Sequence, residues 1–417
     1  MEKSGKFRLT SLERNWILYD VGNSAFVLMV ATLIPIFFNA LAAAGGLSSV
    51  EYLAYWGYAS SAVTVITAVL SPILGTVADT KGFKKPIFIL CVFVGIVGCC
   101  AMGAASAWLP FLVIFVIAKV GFSGSLVFYD SMLSDVTTPE RMDEVSSRGY
   151  AWGYIGSCVP FVVCLGLVLG AGSIGISQMT ALNLALLLTA AWWLLTTLPL
   201  LKSYKQRYYV EVEKHAVRQS FARIGHTLRH LPEDKQVFCF LLAFFCYIDG
   251  VYTIIDMATA YGTALGLDTT GLLLALLVTQ IVAFPSALIF GRLSNKYPSA
   301  KLIPVCIAAY AGIAVFAFFL TRQWQFWVLA VIVGMFQGGV QALSRSHFAK
   351  IIPPEKSGEY FGLFDICGKG ASFLGTMIVS VGSQLTGSAN VGVGSLILLF
   401  IVGFVLFRVS CRQGETA

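Results

Sequence analysis

The chain has 417 residues, of which 57% are hydrophobic and only 12% are charged, and its formal net charge is +7. Soluble domains carry about 25% charged residues, so this composition excludes a disordered chain, a secreted disulfide scaffold and an ordinary soluble enzyme. The ten cysteines lie in apolar runs or in the tail and lack metal-finger spacing, which favours packing over disulfides or a metal site. The sequence therefore predicts an integral membrane protein.

Twelve apolar segments are each long enough to cross a bilayer, which takes about 20 residues per helix. We number them spans 1 to 12. The predicted fold is an all-α integral membrane protein of 12 transmembrane helices, divided into six-helix bundles at 1–201 and 236–417 and a cytoplasmic linker at 202–235. The spans cover roughly 15–43, 52–78, 86–106, 108–134, 149–170, 179–200, 236–263, 271–293, 300–320, 324–347, 359–384 and 390–408.

The basic residues indicate which way the spans run. Of the 28 Lys and Arg residues, all except Lys119, Arg322 and Lys369 lie on one side of the bilayer if both termini are cytoplasmic, as the positive-inside rule describes. The first apolar stretch, Trp16–Ala44, exceeds the 7–15 residues of a signal-peptide core, so we expect it to remain as a span. Because the basic residues follow a membrane face, the expected partner is the lipid bilayer and not nucleic acid.

The linker has apolar residues at helical spacing among Arg and His, which predicts an amphipathic helix on the cytoplasmic membrane surface. His226 and His230 are one turn apart and could bind a metal, but lipid headgroup contact is favoured because no carboxylate or Cys completes a site. The apolar residues are Phe221, Ile224, Leu228 and Leu231.

Short motifs recur where loops meet spans, which indicates an internal repeat. Span 2 ends in Gly75-Thr-Val-Ala-Asp79-Thr-Lys-Gly82-Phe-Lys84-Lys85, and span 8 ends in a weaker copy, Gly291-Arg-Leu-Ser-Asn295. A Pro-Glu-basic turn follows both span 4 and span 10, and counting back nine residues from each proline places Asp130 opposite Arg345. Two six-helix halves in one orientation, joined by a linker, resemble the parallel-repeat plan of major facilitator superfamily transporters.

A closer resemblance covers nearly the whole chain and begins with Trp16-Ile-Leu-Tyr-Asp20-Val-Gly-Asn23-Ser24-Ala-Phe26 in span 1. This motif is similar to the opening of the vacuole effluxer-like transporters, which comprise fungal vacuolar amino-acid exporters of autophagy and a bacterial branch. The resemblance implies export of amino acids or similar small solutes, and it favours a bacterial inner membrane. Four later stretches are also similar: Phe128-Tyr-Asp-Ser-Met-Leu, Arg148-Gly-Tyr-Ala-Trp-Gly-Tyr, Tyr247-Ile-Asp-Gly-Val and Gln337-Gly-Gly-Val-Gln341-Ala-Leu-Ser-Arg345-Ser.

Ionisable groups inside spans are functional candidates, because each costs at least ~2.5 kcal/mol to insert. Asp20 in span 1 and Asp249 in span 7 are each followed by residues that weaken a helix, and breaks at repeat-related positions point to a transport site. We predict a substrate or proton site there; the alternative is a pair of helix kinks with paired carboxylates. The predicted site comprises Tyr19, Asp20, Asn23, Tyr247 and Asp249.

Asp130 and Arg345 lie near the cytoplasmic ends of spans 4 and 10. The superfamily resemblance implies that spans 4, 5, 10 and 11 close an inner gate, so this pair suggests a gate latch, with substrate binding as the alternative. Arg148 is a competing partner for Asp130, and Asp365 would then pair with Arg148. Asp79, in the motif that ends span 2, is the remaining gate candidate.

The remaining candidates are predicted to line the cavity. Lys119 lies about 16 Å from Trp108 at 1.5 Å per helical residue, close to the midplane, and needs a carboxylate partner, a neutral state or an anionic substrate group. Asp365 and Lys369 are one turn apart, so they either neutralise each other or contact substrate. Uncharged candidates are Trp152, Gln337 and Gln341.

No nucleotide-binding segment and no nucleophile constellation is recognisable, so we expect no enzyme, no cofactor and no metal. The predicted activity is alternating-access transport of a small polar or zwitterionic solute by a monomer, with amino acids the best guess and proton coupling through an intramembrane carboxylate. Two alternatives remain open. One is transport of an amphiphilic, lipid-like or organic-anion solute, and the other is a receptor or sensor that binds without transport.

Overall fold

The computed structural model describes residues 7–211, 225–227 and 229–416. Over these ranges the chain forms twelve spans, of which eleven are long and apolar enough to cross a membrane by composition alone. The remaining one is span 11, a helix of 30 residues from Ser357 to Thr386. The predicted all-α, twelve-span architecture is therefore confirmed.

Spans 1–6 form the first half. Span 1 consists of two helices, Ser11–Ala31 and Leu33–Ala44, because Pro35 cannot donate a hydrogen bond to Ala31 and its ring crowds that carbonyl. Spans 2 to 6 are Ser49–Ala78, Lys84–Ala104, Trp108–Ser131, Met142–Leu169 and Gln178–Ser203, and a short helix, Leu133–Val136, follows span 4.

Spans 7–12 form the second half. Span 12 is interrupted, as span 1 is, and consists of Ala389–Gly394 and Ile397–Thr416. Spans 7 to 10 are Lys235–Ala264, Thr269–Leu293, Ser299–Phe318 and Gln323–Ile351.

The predicted helix breaks after Asp20 and Asp249 are wrong, because span 1 runs unbroken to Ala31 and span 7 to Ala264. The glycines there serve close packing instead. A Cβ on Gly22 would collide with Thr196 of span 6, and one on Gly250 would lie 2.5 Å from the Phe400 ring of span 12. Both glycines therefore let neighbouring helices approach, as small residues do between membrane helices.

The halves meet at the end of the bundle where spans 2, 4, 8 and 10 finish, which we call the linker end. Span 2 touches span 11 there, since a Cβ on Gly75 would collide with the carbonyl of Gly358. Span 8 touches span 5, since a Cβ on Gly291 would lie 2.9 Å from Ser147 Cβ. The two contacts are related by the internal repeat and hold the halves together.

The linker residues 206–211 lie along the first half. The Val210 amide donates to the Asp79 carbonyl at 2.8 Å, and the Lys81 amide donates back to Val210 at 3.2 Å. His226 and His230 stack with ring centroids 3.9 Å apart. Of the predicted amphipathic helix, Phe221, Ile224 and Leu228 lie outside the described residues.

We predict that Gly75→Ala lowers the thermal midpoint of the purified protein relative to Gly57→Ala, a matched change in the same span. Both changes improve helix propensity, but a Cβ at Gly57 meets open space whereas one at Gly75 forces span 11 away. Overpacking of this kind costs about 1–3 kcal/mol. An equal midpoint for the two variants, measured in detergent, would contradict the close contact of spans 2 and 11.

Candidate functional site

Arg345 of span 10 is the centre of the linker end. Its side chain is only 2% exposed, yet it keeps its charge compensated by groups of the other half. Nη1 donates to Asp130 Oδ1 at 2.9 Å, Nη2 donates to the Ser146 carbonyl at 3.0 Å, and Nε donates to Ser146 Oγ at 2.9 Å. This one guanidinium therefore ties span 10 to spans 4 and 5, and the structure brings the predicted Asp130–Arg345 pair together.

Three aromatic rings enclose the Arg345 guanidinium. Its central carbon lies 4.7 Å from the ring centroid of Trp16, 5.4 Å from that of Tyr129 and 4.4 Å from that of Tyr150. Trp16 and Tyr129 stack on each other at 4.3 Å. A desolvated cation over aromatic faces gains roughly 2 kcal/mol, so the rings stabilise the charge while excluding water from it.

Asp20 belongs to this cluster and not to a separate site. Its Oδ2 lies 3.8 Å from Arg345 Nη1 and makes no hydrogen bond with the described residues. Two carboxylates, Asp20 and Asp130, thus share one guanidinium in a buried place. With two carboxylates and one guanidinium, the cluster has one excess acidic group, which makes it a candidate place for a proton to bind.

Asp79 forms a second link between the halves. It accepts hydrogen bonds from the Gly358 amide at 2.7 Å and the Glu359 amide at 2.8 Å, at the N-terminus of span 11, where a helix favours a negative charge. Lys84 lies 3.5 Å from it and also donates to Ser357 Oγ at 2.8 Å. Burial raises the pKa of Asp79 to about 6, against the opposing effect of Lys84 and the two amides.

The degenerate second motif makes the corresponding link. Asn295 Nδ2, at the end of span 8, donates to Glu144 Oε2 of span 5 at 2.7 Å. Glu144 also pairs with Arg148 at 2.5 Å. Arg148 therefore pairs within its own helix, and the predicted pairing of Arg148 with Asp130 or Asp365 is wrong. Asp365 instead accepts a hydrogen bond from Ser71 at 2.8 Å.

Sequence reasoning missed several members of the linker end. Asp143 accepts from Ser346 Oγ at 2.6 Å and lies 2.6 Å from Lys350 Nζ, which adds a further cross-half pair. Glu13 pairs with Arg141 at 2.7 Å inside the first half. The signal for Glu13 was its capping box with Thr10, whereas nothing local to Asp143 indicates a partner about 200 residues away.

The predicted cluster of tyrosines and carboxylates does not form one site. Tyr19 donates to Ser125 Oγ at 2.6 Å in the first half, and Tyr247 bonds Ser344 Oγ at 2.6 Å in the second. Asp249 is fully buried and accepts from the Gly375 amide at 2.8 Å, which ties span 7 to span 11. Asn23 donates to the Tyr19 carbonyl at 3.1 Å. These four residues are each bonded within their own half, whereas Asp20 lies beside Arg345 of the other half.

Beyond Arg345, polar atoms accumulate that other protein groups do not bond. Among the described residues, the buried atoms that lack a hydrogen-bond partner include Tyr154 Oη, Gln280 Oε1, Tyr310 Oη and Gln337 Oε1. Leaving such atoms unsatisfied costs about 1–3 kcal/mol each. Water or a polar ligand could satisfy such atoms.

The remaining charged, aromatic and polar candidates lie on spans 4, 5, 10 and 11. The Lys119 ammonium lies 4.7 Å from the Phe122 ring centroid. Trp152 is 45% exposed and packs against Phe284 of span 8 with ring centroids 5.5 Å apart. Gln341 is half-buried, and the side chain of Lys369 lies outside the described residues.

The chain matches the family model described as vacuole effluxer Atg22 like over residues 11–139 and 134–416. It is 43% identical over 414 residues to the MFS-type transporter YxiO of Bacillus subtilis (strain 168), which covers 98% of this chain and 97% of that protein. Autophagy-related protein 22 of Coccidioides immitis (strain RS) is 25% identical over 315 residues, covering 65% of this chain and 51% of that protein. The chain thus spans about half the length of this fungal relative.

Two solved transporters share the architecture. The human organic anion transporter MFSD10 (TETRAN) has a TM-score of 0.72 at 14% identity, covering 95% of this chain and 98% of that one. The major facilitator superfamily transporter FucP in the outward conformation has a TM-score of 0.72 at 17% identity, covering 96% and 97%. At these identities the likeness shows the fold alone, and it confirms the predicted major facilitator fold.

We predict that Arg345→Gln separates the halves at the linker end, because it leaves the buried Asp20 and the half-buried Asp130 without the charge that they share. Breaking a buried pair costs about 3–5 kcal/mol. Spin labels on the exposed positions Thr138 and Glu355, in a cysteine-depleted background, would report a longer distance by double electron–electron resonance. Arg141→Gln is the matched control, since among the described residues Arg141 pairs with Glu13 of its own half. An unchanged distance between the labels in Arg345→Gln would show that Arg345 does not hold the halves together at the linker end.

Proposed function

The chain belongs to the vacuole effluxer Atg22 like family of major facilitator-type secondary transporters, and we propose that it exports small zwitterionic solutes, amino acids first, in exchange for protons. The observation that carries this proposal is the Arg345 cluster, which closes one end of the bundle while unbonded polar groups lie beyond it. Transport of this kind needs no chemistry on the solute. It needs a cavity that opens to one side at a time.

The contacts of the linker end suit alternating access. Four side chains there form hydrogen bonds with the other half, namely those of Asp79, Asp143, Glu144 and Arg345. Separating a buried ion pair without hydrating it leaves each charge desolvated and uncompensated, which is strongly unfavourable. A gate made of them therefore has two states, packed or opened to water, and the two six-helix halves can rock as units between these states.

We assign the linker end to the cytoplasm, because the basic loops gather there. The structure then corresponds to the state that is closed to the cytoplasm, in which an exporter releases its solute. A proton arriving from the open side neutralises Asp20 or Asp130. The attraction that holds Arg345 weakens, the linker end opens, and the proton leaves to the cytoplasm before a new solute binds.

Proton coupling predicts a separation of two activities in Asp20→Asn. Transport driven by a proton gradient should fall at least tenfold, because the variant leaves one carboxylate for one guanidinium and so removes the excess acidic group that takes up the proton, while exchange of labelled for unlabelled solute in proteoliposomes should persist. Asp268→Asn is the control: Asp268 caps the start of span 8 by accepting from the Gly271 amide at 2.7 Å, and Asn caps helices equally well. Unaltered proton-driven transport in Asp20→Asn would overturn the coupling site.

The substrate class predicts selective stabilisation of the purified protein. An amino acid present at 100 times its dissociation constant should raise the free energy of unfolding by about 2.7 kcal/mol if it binds only the folded state. The measurement is the thermal midpoint in detergent against a panel of amino acids, organic anions and amphiphiles. If only an organic anion or an amphiphile stabilised the protein, that class of solute, and not amino acids, would be the substrate. Binding without exchange in proteoliposomes would favour a sensor.

A further inference from the structure

The first part of the linker binds a buried carboxylate of the first half. Asp135, in the short helix after span 4, accepts a hydrogen bond through Oδ2 from the Tyr204 hydroxyl at 2.6 Å. Its Oδ1 accepts from the Arg207 amide at 2.9 Å and from the Tyr208 amide at 3.0 Å. We call residues 204–210 the linker strap. Because Asp135 and Tyr204 are both buried, these donors replace the water that a carboxylate would otherwise bind.

The linker strap also holds the backbone at the end of span 2. Gln206 Nε2 donates to the Ala78 carbonyl at 3.1 Å, and Gln206 Oε1 accepts from the Gly82 amide at 3.0 Å. The Val210 amide donates to the Asp79 carbonyl at 2.8 Å. The strap therefore fixes the turn that presents the Asp79 side chain to span 11.

Lys84 connects the carboxylate that the strap binds with the contact between the halves. Its Nζ donates to Ser357 Oγ of span 11 at 2.8 Å, and it lies 3.5 Å from Asp79 Oδ1 and 3.7 Å from Asp135 Oδ2. Lys84 and both carboxylates are fully buried. The Asp135 oxygen that faces Lys84 is also the one to which Tyr204 donates. Two carboxylates therefore compete for one ammonium, and only its position near Asp79 and Ser357 supports the closed linker end.

We propose that the linker strap is a positioning part of the gate, which donates to Asp135 and so leaves Lys84 with Asp79 and Ser357. Without the Tyr204 hydroxyl, Asp135 Oδ2 loses a donor in a buried place, and the Lys84 ammonium is the charged donor beside it. Lys84 then moves towards Asp135 and away from Ser357, and the contact of spans 2 and 11 weakens. This inference rests on the proposed function, because it adds a part to the gate, but it requires no particular solute.

The test measures how often the linker end opens. Ser147 of span 5 is fully buried against Gly291 of span 8, and its Oγ makes no hydrogen bond with the described residues, so Ser147→Cys is a mild change. In a cysteine-depleted background, a charged thiol reagent reaches this cysteine only when the halves part. At reagent concentrations where labelling is slower than closing, the labelling rate is proportional to the open population. This Ser147→Cys protein is the parent for the variants.

Tyr204→Phe should raise the labelling rate about tenfold or more, the change that follows the loss of one hydrogen bond to a charged group. Tyr208→Phe is the matched control and should label as the parent does, since Tyr208 donates to Asp135 through its amide and not through its hydroxyl. Asp135→Asn removes the carboxylate that competes for Lys84, so it should label no faster than the parent. In the Asp135→Asn background, Tyr204→Phe should then have no further effect.

The outcomes separate a positioning role from a merely structural one. A rise in Tyr204→Phe that disappears in the Asp135→Asn background supports the inference. A rise that persists there, or equal rates for Tyr204→Phe and Tyr208→Phe, overturns it. Labelling needs no solute, so the proposed function is tested separately: if the strap variants behave as expected but no amino acid is bound or exchanged, the inference stands and the proposed function fails.

Discussion

The buried charge of Arg345 is the constraint on which the closed structure depends. A guanidinium at 2% exposure must find its counter-charge and acceptors nearby, and it finds them in Asp130, Asp20 and Ser146 of the other half. The halves therefore cannot part at this end without rehydrating the whole cluster. That requirement makes the end either fully packed or fully open, which is the behaviour that alternating access needs.

The internal repeat explains how the rest of the gate is arranged. Asp79 at the end of span 2 binds the start of span 11, and Asn295 at the end of span 8 binds Glu144 near the start of span 5. Tyr19 and Tyr247 likewise each bond a serine, on spans 4 and 10. These contacts occur at equivalent positions of the two repeats. The repeats differ at Asp130 and Arg345, which occupy equivalent positions but carry opposite charges, and these two residues attract each other.

The charges divide into two groups by position. Asp20, Asp130 and Arg345 lie at the linker end, where, in the proposed cycle, hydration changes as the gate opens and a bound proton responds to the conformational state. Lys119 lies deeper, about 16 Å from the opposite end of span 4 at 1.5 Å per residue. In the proposed cycle, solute and proton bias the same movement from different places.

The sequence by itself determined the spans, the repeat and the pairing of Asp130 with Arg345. Hydropathy, loop charge and motif spacing are local or periodic signals, and the pair followed from matching two copies of one motif. The sequence did not determine that Gly22 and Gly250 pack instead of bending their helices, or that Arg148 pairs with Glu144 while Asp20 joins Arg345. Only the tertiary structure decided these contacts, because which charge a side chain meets depends on how separate helices pack, and helical periodicity does not encode that.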